Sequence, residues 1–252
     1  HGLILVTGPT GSGKTTTLYA ALSEVNTPET KIITAEDPVE FSLPRINQSQ
    51  VNEKIGLTFS SVLRSALRQD PDVILVGEMR DTETAEIAIR ASITGHLVFS
   101  TLHTNGAVET ATRLLDMGVE GYILASALQV IIAQRLVRRI CEYCATDTEI
   151  EEAHQTWLEE SLQVNSQTIN FKQGQGCQHC NLTGYRGRIG VYELLEMRHE
   201  TLDALRRNDS AAFTLAAKNT PGFTPFTECA LEFVRQGITT LDEVIRITGS
   251  GR

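Results

Sequence analysis

Short apolar runs recur along the first hundred residues, and between them lie segments whose apolar positions return every three to four residues. Residues 3–7, 31–35, 73–76 and 97–101 are short, β-branched and flanked by Gly, Pro or acidic residues. Such runs predict buried parallel strands, because a strand covered on both faces has no polar side to alternate with. Residues 14–25 predict a helix directly after the first strand. Val62, Leu63, Ala66 and Leu67 predict a second helix over 60–69, with Pro71 marking its end. Ala85, Ile87, Ala88, Ile89 and Ala91 predict a third over 82–93, with Asp81 placed to cap it. Strands alternating with helices predict an α/β domain.

After Gly121 the pattern changes. Residues 122–140 predict a helix ending in Arg135, Arg138 and Arg139, and 188–197 predict a strand. From His199 on, the chain predicts helices with loops at 219–224 and 236–239. The expected plan is an α/β core over 1–138, an insertion over 139–187, and a strand with a helical part over 188–252. His1 leads at once into a strand-like run, so the chain is expected to be one domain of a longer protein.

Composition narrows the classes. With 252 residues, 41% hydrophobic and 21% charged, the chain is globular. Its net charge of −9 argues against gripping nucleic acid by bulk charge. Much of that charge lies in 142–160, which holds seven acidic residues and no Lys or Arg, the pattern of a solvated surface insertion. No stretch approaches the roughly 20 apolar residues of a membrane helix, and no signal peptide is expected. Four of the five cysteines form two C-x-x-C pairs, which points to metal binding in a reducing compartment.

Gly8-Pro9-Thr10-Gly11-Ser12-Gly13-Lys14-Thr15 fits G-x-x-x-x-G-K-[ST], after a predicted strand and opening a predicted helix. Glycines let the backbone curl so that amide N–H groups face phosphate oxygens, and the helix N-terminus adds positive charge. Lys14 is expected on the β/γ-phosphates of ATP, Thr15 on Mg²⁺, and Thr16 beside them. The alternative is a tight turn with no ligand.

Ligands of open α/β sheets sit beyond the carboxyl ends of the strands. Glu36, Asp37 and Glu40 follow one such end, and Glu78 another, with Arg80 and Asp81 behind it. A strand of this kind usually ends in Asp; here Gly77 takes that place, leaving Glu78 to orient or activate water. These acids could instead cap the helices that follow. His96 and His103 flank the run 97–101, either as satisfied structural residues or as donors to a γ-phosphate.

The segments GPTGSGKTTTL (8–18), ITAEDPVEF (33–41), GLTFSSVLRSALRQDPDVILVGEMRDTETAEIAIRA (56–91), TGHLVFSTLHTN (94–105) and AQRLVRRI (133–140) resemble the C-terminal motor domain of the type II secretion and type IV pilus assembly ATPases. The resemblance implies a RecA-like P-loop NTPase fold and a six-subunit ring. It implies a cytoplasmic motor, peripheral at a bacterial inner membrane, that works on a membrane platform protein to assemble pilin-like subunits. It also implies that the Glu36 region and the His96–His103 region line the nucleotide site, and that a preceding N-terminal domain supplies arginines to it. Neither nucleic acid nor a transmembrane segment is expected. A conjugation- or DNA-translocation-type motor is the alternative, as is a fragment that binds nucleotide with little turnover.

Cys141 and Cys144 are separated from Cys177 and Cys180 by 32 residues. Two such knuckles suit tetrahedral, structural Zn²⁺, with disulfides in an oxidised sample or an iron–sulfur site as alternatives. His179 reads as a bystander and Cys229 as a lone core cysteine. Arg186-Gly187-Arg188 reads either as a contact to nucleotide or a neighbouring subunit, or as a solvated turn. Within the family, a tetracysteine motif resembles the assembly and secretion motors more than the retraction motors.

Overall fold

The apolar runs become the middle of a sheet. In the computed structural model, which describes residues 1–248, β1 (Gly2–Thr7) leads into α1 (Lys14–Val25), then β2 (Ile32–Glu36) and β3 (Ile46–Gln50). Then come α2 (Phe59–Ala66), β4 (Val73–Val76), α3 (Thr82–Ile93), β5 (Leu97–Leu102), α4 (Ala107–Asp116), α5 (Gly121–Ala127) and β6 (Leu128–Ile140). The remainder is β7 (Ala145–Asp147), α6 (Glu152–Leu162), β8 (Lys172–Gly174), β9 (Tyr185–Glu196), α7 (His199–Arg206), α8 (Ser210–Lys218), α9 (Phe226–Arg235) and α10 (Leu241–Thr248). The large sheet has the order β3-β2-β4-β5-β1-β6-β9, and β7 pairs with β8 separately.

Two compact units emerge. One is His1–Gln134 with Glu193–Phe223; the other is Arg135–Tyr192 with the segment from Thr224 on. In the first, β1 pairs in parallel with β5 and β6, and β2 pairs in parallel with β3 and β4. Val6, Ile32, Val73, Leu75 and Phe99 bury one sheet face under Leu18, Tyr19 and Leu22 of α1. Leu3, Leu5, Ile74 and Val98 point the other way by the two-residue period and are equally buried, with α2 and α3 against these strands. Truncating Leu22 to Ala would cost about 2–5 kcal/mol.

Local signals set the helix starts. Asp81 accepts from the Thr84 amide at 2.7 Å, as its position before α3 predicts. Thr58 and Ser61 form a reciprocal capping box at α2. α2 is shorter than expected, and 67–69 tightens into a 3₁₀ turn before Pro71.

One predicted element is corrected. Residues 122–140 are not one helix: only Gly121–Ala127 is helical, and Leu128–Ile140 is a strand. The run Val130-Ile131-Ile132 is β-branched, and β1 offers it an unpaired edge: Ile4 pairs with Val130, Leu5 with Ile131 and Val6 with Ile132. β3 was not anticipated, because its sequence Ile-Asn-Gln-Ser-Gln is polar; at the sheet edge it needs little apolar surface.

In the second unit β7 and β8 pair antiparallel, with Ala145 opposite Gly174. Its core includes Val137, Leu158, Phe171, Val191, Leu231 and Val244. Glu243, in the same unit, is 1% exposed. It accepts from the Arg138 amide at 2.7 Å and Nε at 2.9 Å, and from Arg246 at 2.8 Å. Burial alone would raise its pKa, but these donors outweigh burial and hold it below the usual glutamate value.

Candidate functional site

The phosphate loop leaves β1 after Thr7 and enters α1 at Lys14. Gly11 and Gly13 have φ of 78° and 88°, the left-handed region in which glycine is favoured. That curl turns successive N–H groups toward one anion-binding hollow. At Gly8 space decides, since an added Cβ would stand 2.3 Å from the Gln134 carbonyl oxygen. Gln134 also accepts from the Thr17 hydroxyl at 2.7 Å, tying α1 to β6. Lys14 Nζ donates to Gly8 O at 2.8 Å and Pro9 O at 3.2 Å. Burial lowers the Lys14 pKa, and the nearby Glu78 carboxylate opposes that shift. The Ser12 hydroxyl is buried and has no hydrogen-bond partner among the described residues, so a phosphate oxygen would satisfy it. Pro9, Thr10, Gly11 and Thr16 are exposed, and Thr15 is half-buried at the head of α1. The loop therefore fits a nucleoside triphosphate.

Glu78 lies just past β4. Gly77 donates to Ala35 O at 2.7 Å, and a Cβ there would crowd that oxygen at 3.1 Å and Glu36 Cα at 3.3 Å. The close passage of β2 explains why this position is glycine. Glu78 Oε2 accepts from Arg80 Nε at 2.7 Å, and Oε1 lies 3.1 Å from His103 Nε2. Arg80 Nη1 reaches Asp37 at 3.5 Å. Lys14, Asp37, Glu78, Arg80 and His103 are thus gathered beyond the carboxyl ends of β1, β2, β4 and β5.

His96 is not brought to this cluster. β1 and β5 are in register from Gly2 opposite Leu97 to Thr7 opposite Leu102. His103 therefore stands beside the phosphate loop, while His96 stands at the opposite, amino end of β5, about 23 Å away by strand rise. Its Nδ1 lies 2.8 Å from Ala91 O, at the end of α3.

Glu36 is the last residue of β2 and is 3% exposed. Its carboxylate accepts from Tyr19 Oη, from Thr34 Oγ1 and, at 3.1 Å, from Gln48 Nε2. Burial first, and then the bond to Glu36, push the Tyr19 hydroxyl up to about 12, so it stays a donor at neutral pH. Tyr19, Gln48 and Gln134 carry no local sequence signal; only the pairing of α1 with β2, β3 and β6 assembles them.

In the second unit the four knuckle cysteines come together, all Sγ atoms lying within 4.8 Å of one another. The Cys141–Cys177, Cys144–Cys180 and Cys177–Cys180 Sγ separations are 3.9, 3.9 and 3.8 Å. A tetrahedral site with metal–sulfur bonds of about 2.3 Å has edges of about 3.8 Å, far longer than a disulfide. The set therefore fits a zinc-binding insertion. Gly174 and Gly184 allow the close approach, since a Cβ on Gly174 would stand 2.0 Å from Gly184 O. Burial would raise the Cys180 thiol, but N–H donors from Cys177 and Gly184 bring it down to about 6. His179 stacks on Tyr143 with ring centroids 4.0 Å apart. Arg186 lies 5.4 Å from the same Tyr143 ring. Cys229 is half-buried on α9.

The family model described as type II/IV secretion system protein matches residues 1–246. The chain belongs to that family. It is 47% identical over 249 residues to the type II secretion system ATPase E of Vibrio cholerae serotype O1, covering 98% of this chain and 48% of that protein. It is 46% identical over 251 residues to the type IV pilus assembly ATPase PilB of Acinetobacter baylyi, covering 98% and 43%. The crystal structure of the pilus retraction motor PilT with bound ADP superposes with a TM-score of 0.70 at 33% identity, covering 98% of this chain and 61% of that one. The chain thus spans about half the length of the curated relatives it matches. The α/β parallel-sheet fold expected of this family is the fold observed. Among the described residues no helix is long and apolar enough to cross a membrane.

Proposed function

We propose that this chain is the ATP-hydrolysing motor domain of a secretion or pilus-assembly machine. The observation that carries the reading is the convergence of a glycine-curled phosphate loop, Lys14 and Glu78 at one end of the sheet. Lys14 and the backbone N–H groups of the loop hold the phosphates, and the Thr15 hydroxyl would hold Mg²⁺, which would supply positive charge to the phosphate oxygens when bound. Glu78 accepts the proton of the attacking water, so that the γ-phosphorus–oxygen bond breaks as the new one forms. His103, 3.1 Å from Glu78, reports the γ-phosphate to it. Glu36, already surrounded by three donors, acts as a holding group beneath the site rather than on it.

The tetracysteine insertion takes structural Zn²⁺, because four thiolates close the shell and leave no position for substrate. The resemblance supports a hexamer of the full protein, cytoplasmic and peripheral at the inner membrane, acting on a platform protein.

Glu78→Gln in the full protein tests the assignment. It should leave ATP binding intact and lower turnover about 100-fold or more. A variant that binds and hydrolyses ATP at the normal rate would remove Glu78 from the reaction.

A further inference from the structure

Tyr19 occupies an unusual place between the phosphate-binding helix and the acidic loop. It lies five residues after Lys14 on α1 and is 3% exposed. Its hydroxyl donates to Glu36 and accepts from the Glu40 amide at 3.3 Å, so one oxygen holds both ends of the segment 36–40. Gln48 closes the cluster, donating to Glu36 at 3.1 Å, to Tyr19 Oη at 3.3 Å and to Phe41 O at 3.2 Å. Phe41 packs edge-on against the Tyr19 ring at 4.8 Å. Asp37 lies inside the held segment and reaches Arg80 at 3.5 Å, while Arg80 binds Glu78 at 2.7 Å.

We infer that Tyr19 is a positioning residue for ATP turnover, clamping the 36–40 segment to α1 so that Asp37 restrains Arg80 and Arg80 aims Glu78. This rests on the proposed role of Glu78. The effect of Tyr19 passes through four named contacts, its own to Glu36 and Glu40, then Asp37 to Arg80 and Arg80 to Glu78. It also gives α1, whose first residue is Lys14, a mechanical link to the group that handles water. Loss of aim costs rate rather than substrate affinity, because Lys14 and the loop are left in place.

The test is Tyr19→Phe in the full protein, which keeps the ring against Phe41 and removes only the hydroxyl. Steady-state ATP hydrolysis should show kcat lowered about tenfold with KM within twofold. Asp37→Asn should give a loss of similar size, and the double variant should be no slower than the slower single one. Unchanged kcat in Tyr19→Phe, a rise in KM with kcat intact, or losses that multiply in the double variant would each overturn the inference. Should Tyr19→Phe fail to fold for lack of a donor to the buried Glu36, Tyr19→Phe with Glu36→Gln removes that charge as well and is read the same way. A wild-type protein that hydrolyses no ATP would sink the motor reading and this inference with it; an active wild type with an equally active Tyr19→Phe sinks the inference alone.

Discussion

Arg80 reaches back two residues to donate from Nε to Glu78 Oε2 at 2.7 Å, leaving the other carboxylate oxygen to His103 at 3.1 Å. One guanidinium thereby fixes the rotation of the carboxylate proposed to handle water, and Asp37 fixes the guanidinium.

Removing that brace should cost rate. Arg80→Ala is expected to lower kcat about tenfold with ATP affinity little changed. Arg80→Lys should recover little of it, because an ammonium lacks the planar fork that spans Glu78 and Asp37. Hydrolysis assays beside nucleotide-binding titrations check this; a fully active Arg80→Ala would show that Glu78 needs no such support.

Lys14 acts on binding instead. Lys14→Ala removes a half-buried ammonium from the loop carbonyls of Gly8 and Pro9. Charge-assisted hydrogen bonds are worth about 1.5–3 kcal/mol, so nucleotide affinity should fall roughly 10- to 100-fold. Calorimetric titration with a non-hydrolysable triphosphate measures it, and unchanged affinity would dissociate the loop from the nucleotide.

The cysteine tetrad predicts metal-dependent stability. Elemental analysis should find about one zinc per chain, and iron in its place would contradict the assignment. Stripping the metal, or Cys144→Ser, should cost about 4 kcal/mol, or roughly 8–16 °C in Tm for a chain of this size. Activity need not follow in proportion, since the tetrad and the phosphate loop belong to different compact units.

Glu243 predicts an acid limit. Its pKa is held below the ordinary 4.5 by Arg246 and Arg138 acting against burial. The unfolded chain therefore takes up this proton at higher pH than the folded one, so the contribution is complete above the unfolded value and lost as pH falls through the folded value. Glu243→Gln should lower the urea midpoint at neutral pH and lose part of the wild-type decline below about pH 4.5. Glu243→Ala should cost about 2–3 kcal/mol, less than for a wholly dry pair because both guanidiniums are half exposed. Parallel acid limbs in wild type and Glu243→Gln would contradict this linkage.

The sequence by itself determined the covered strands, the first three helices, the phosphate loop and the two cysteine knuckles. Each is written in local terms: continuous apolar runs, a 3.6-residue period, glycines at fixed offsets, paired thiols. Residues 128–140 escaped that reading because a short apolar run with spaced arginines satisfies either period, and only the open edge of β1 selects the strand. β3 escaped because an edge strand can be polar.

Tertiary structure alone decided which of the candidate groups meet. His96 and His103 look equivalent in sequence, yet a parallel strand places its two ends about 23 Å apart, and only one end carries the phosphate loop. Glu36 and Glu78 both stand at the carboxyl end of a strand in the sequence; burial among Tyr19, Thr34 and Gln48 makes the first a structural anchor, while the second, with 18% of its side chain exposed, faces Lys14, Arg80 and His103. Hydrogen bonds between residues far apart in the chain depend on strand order and register, and those are set by the packing of the whole sheet rather than by any one segment.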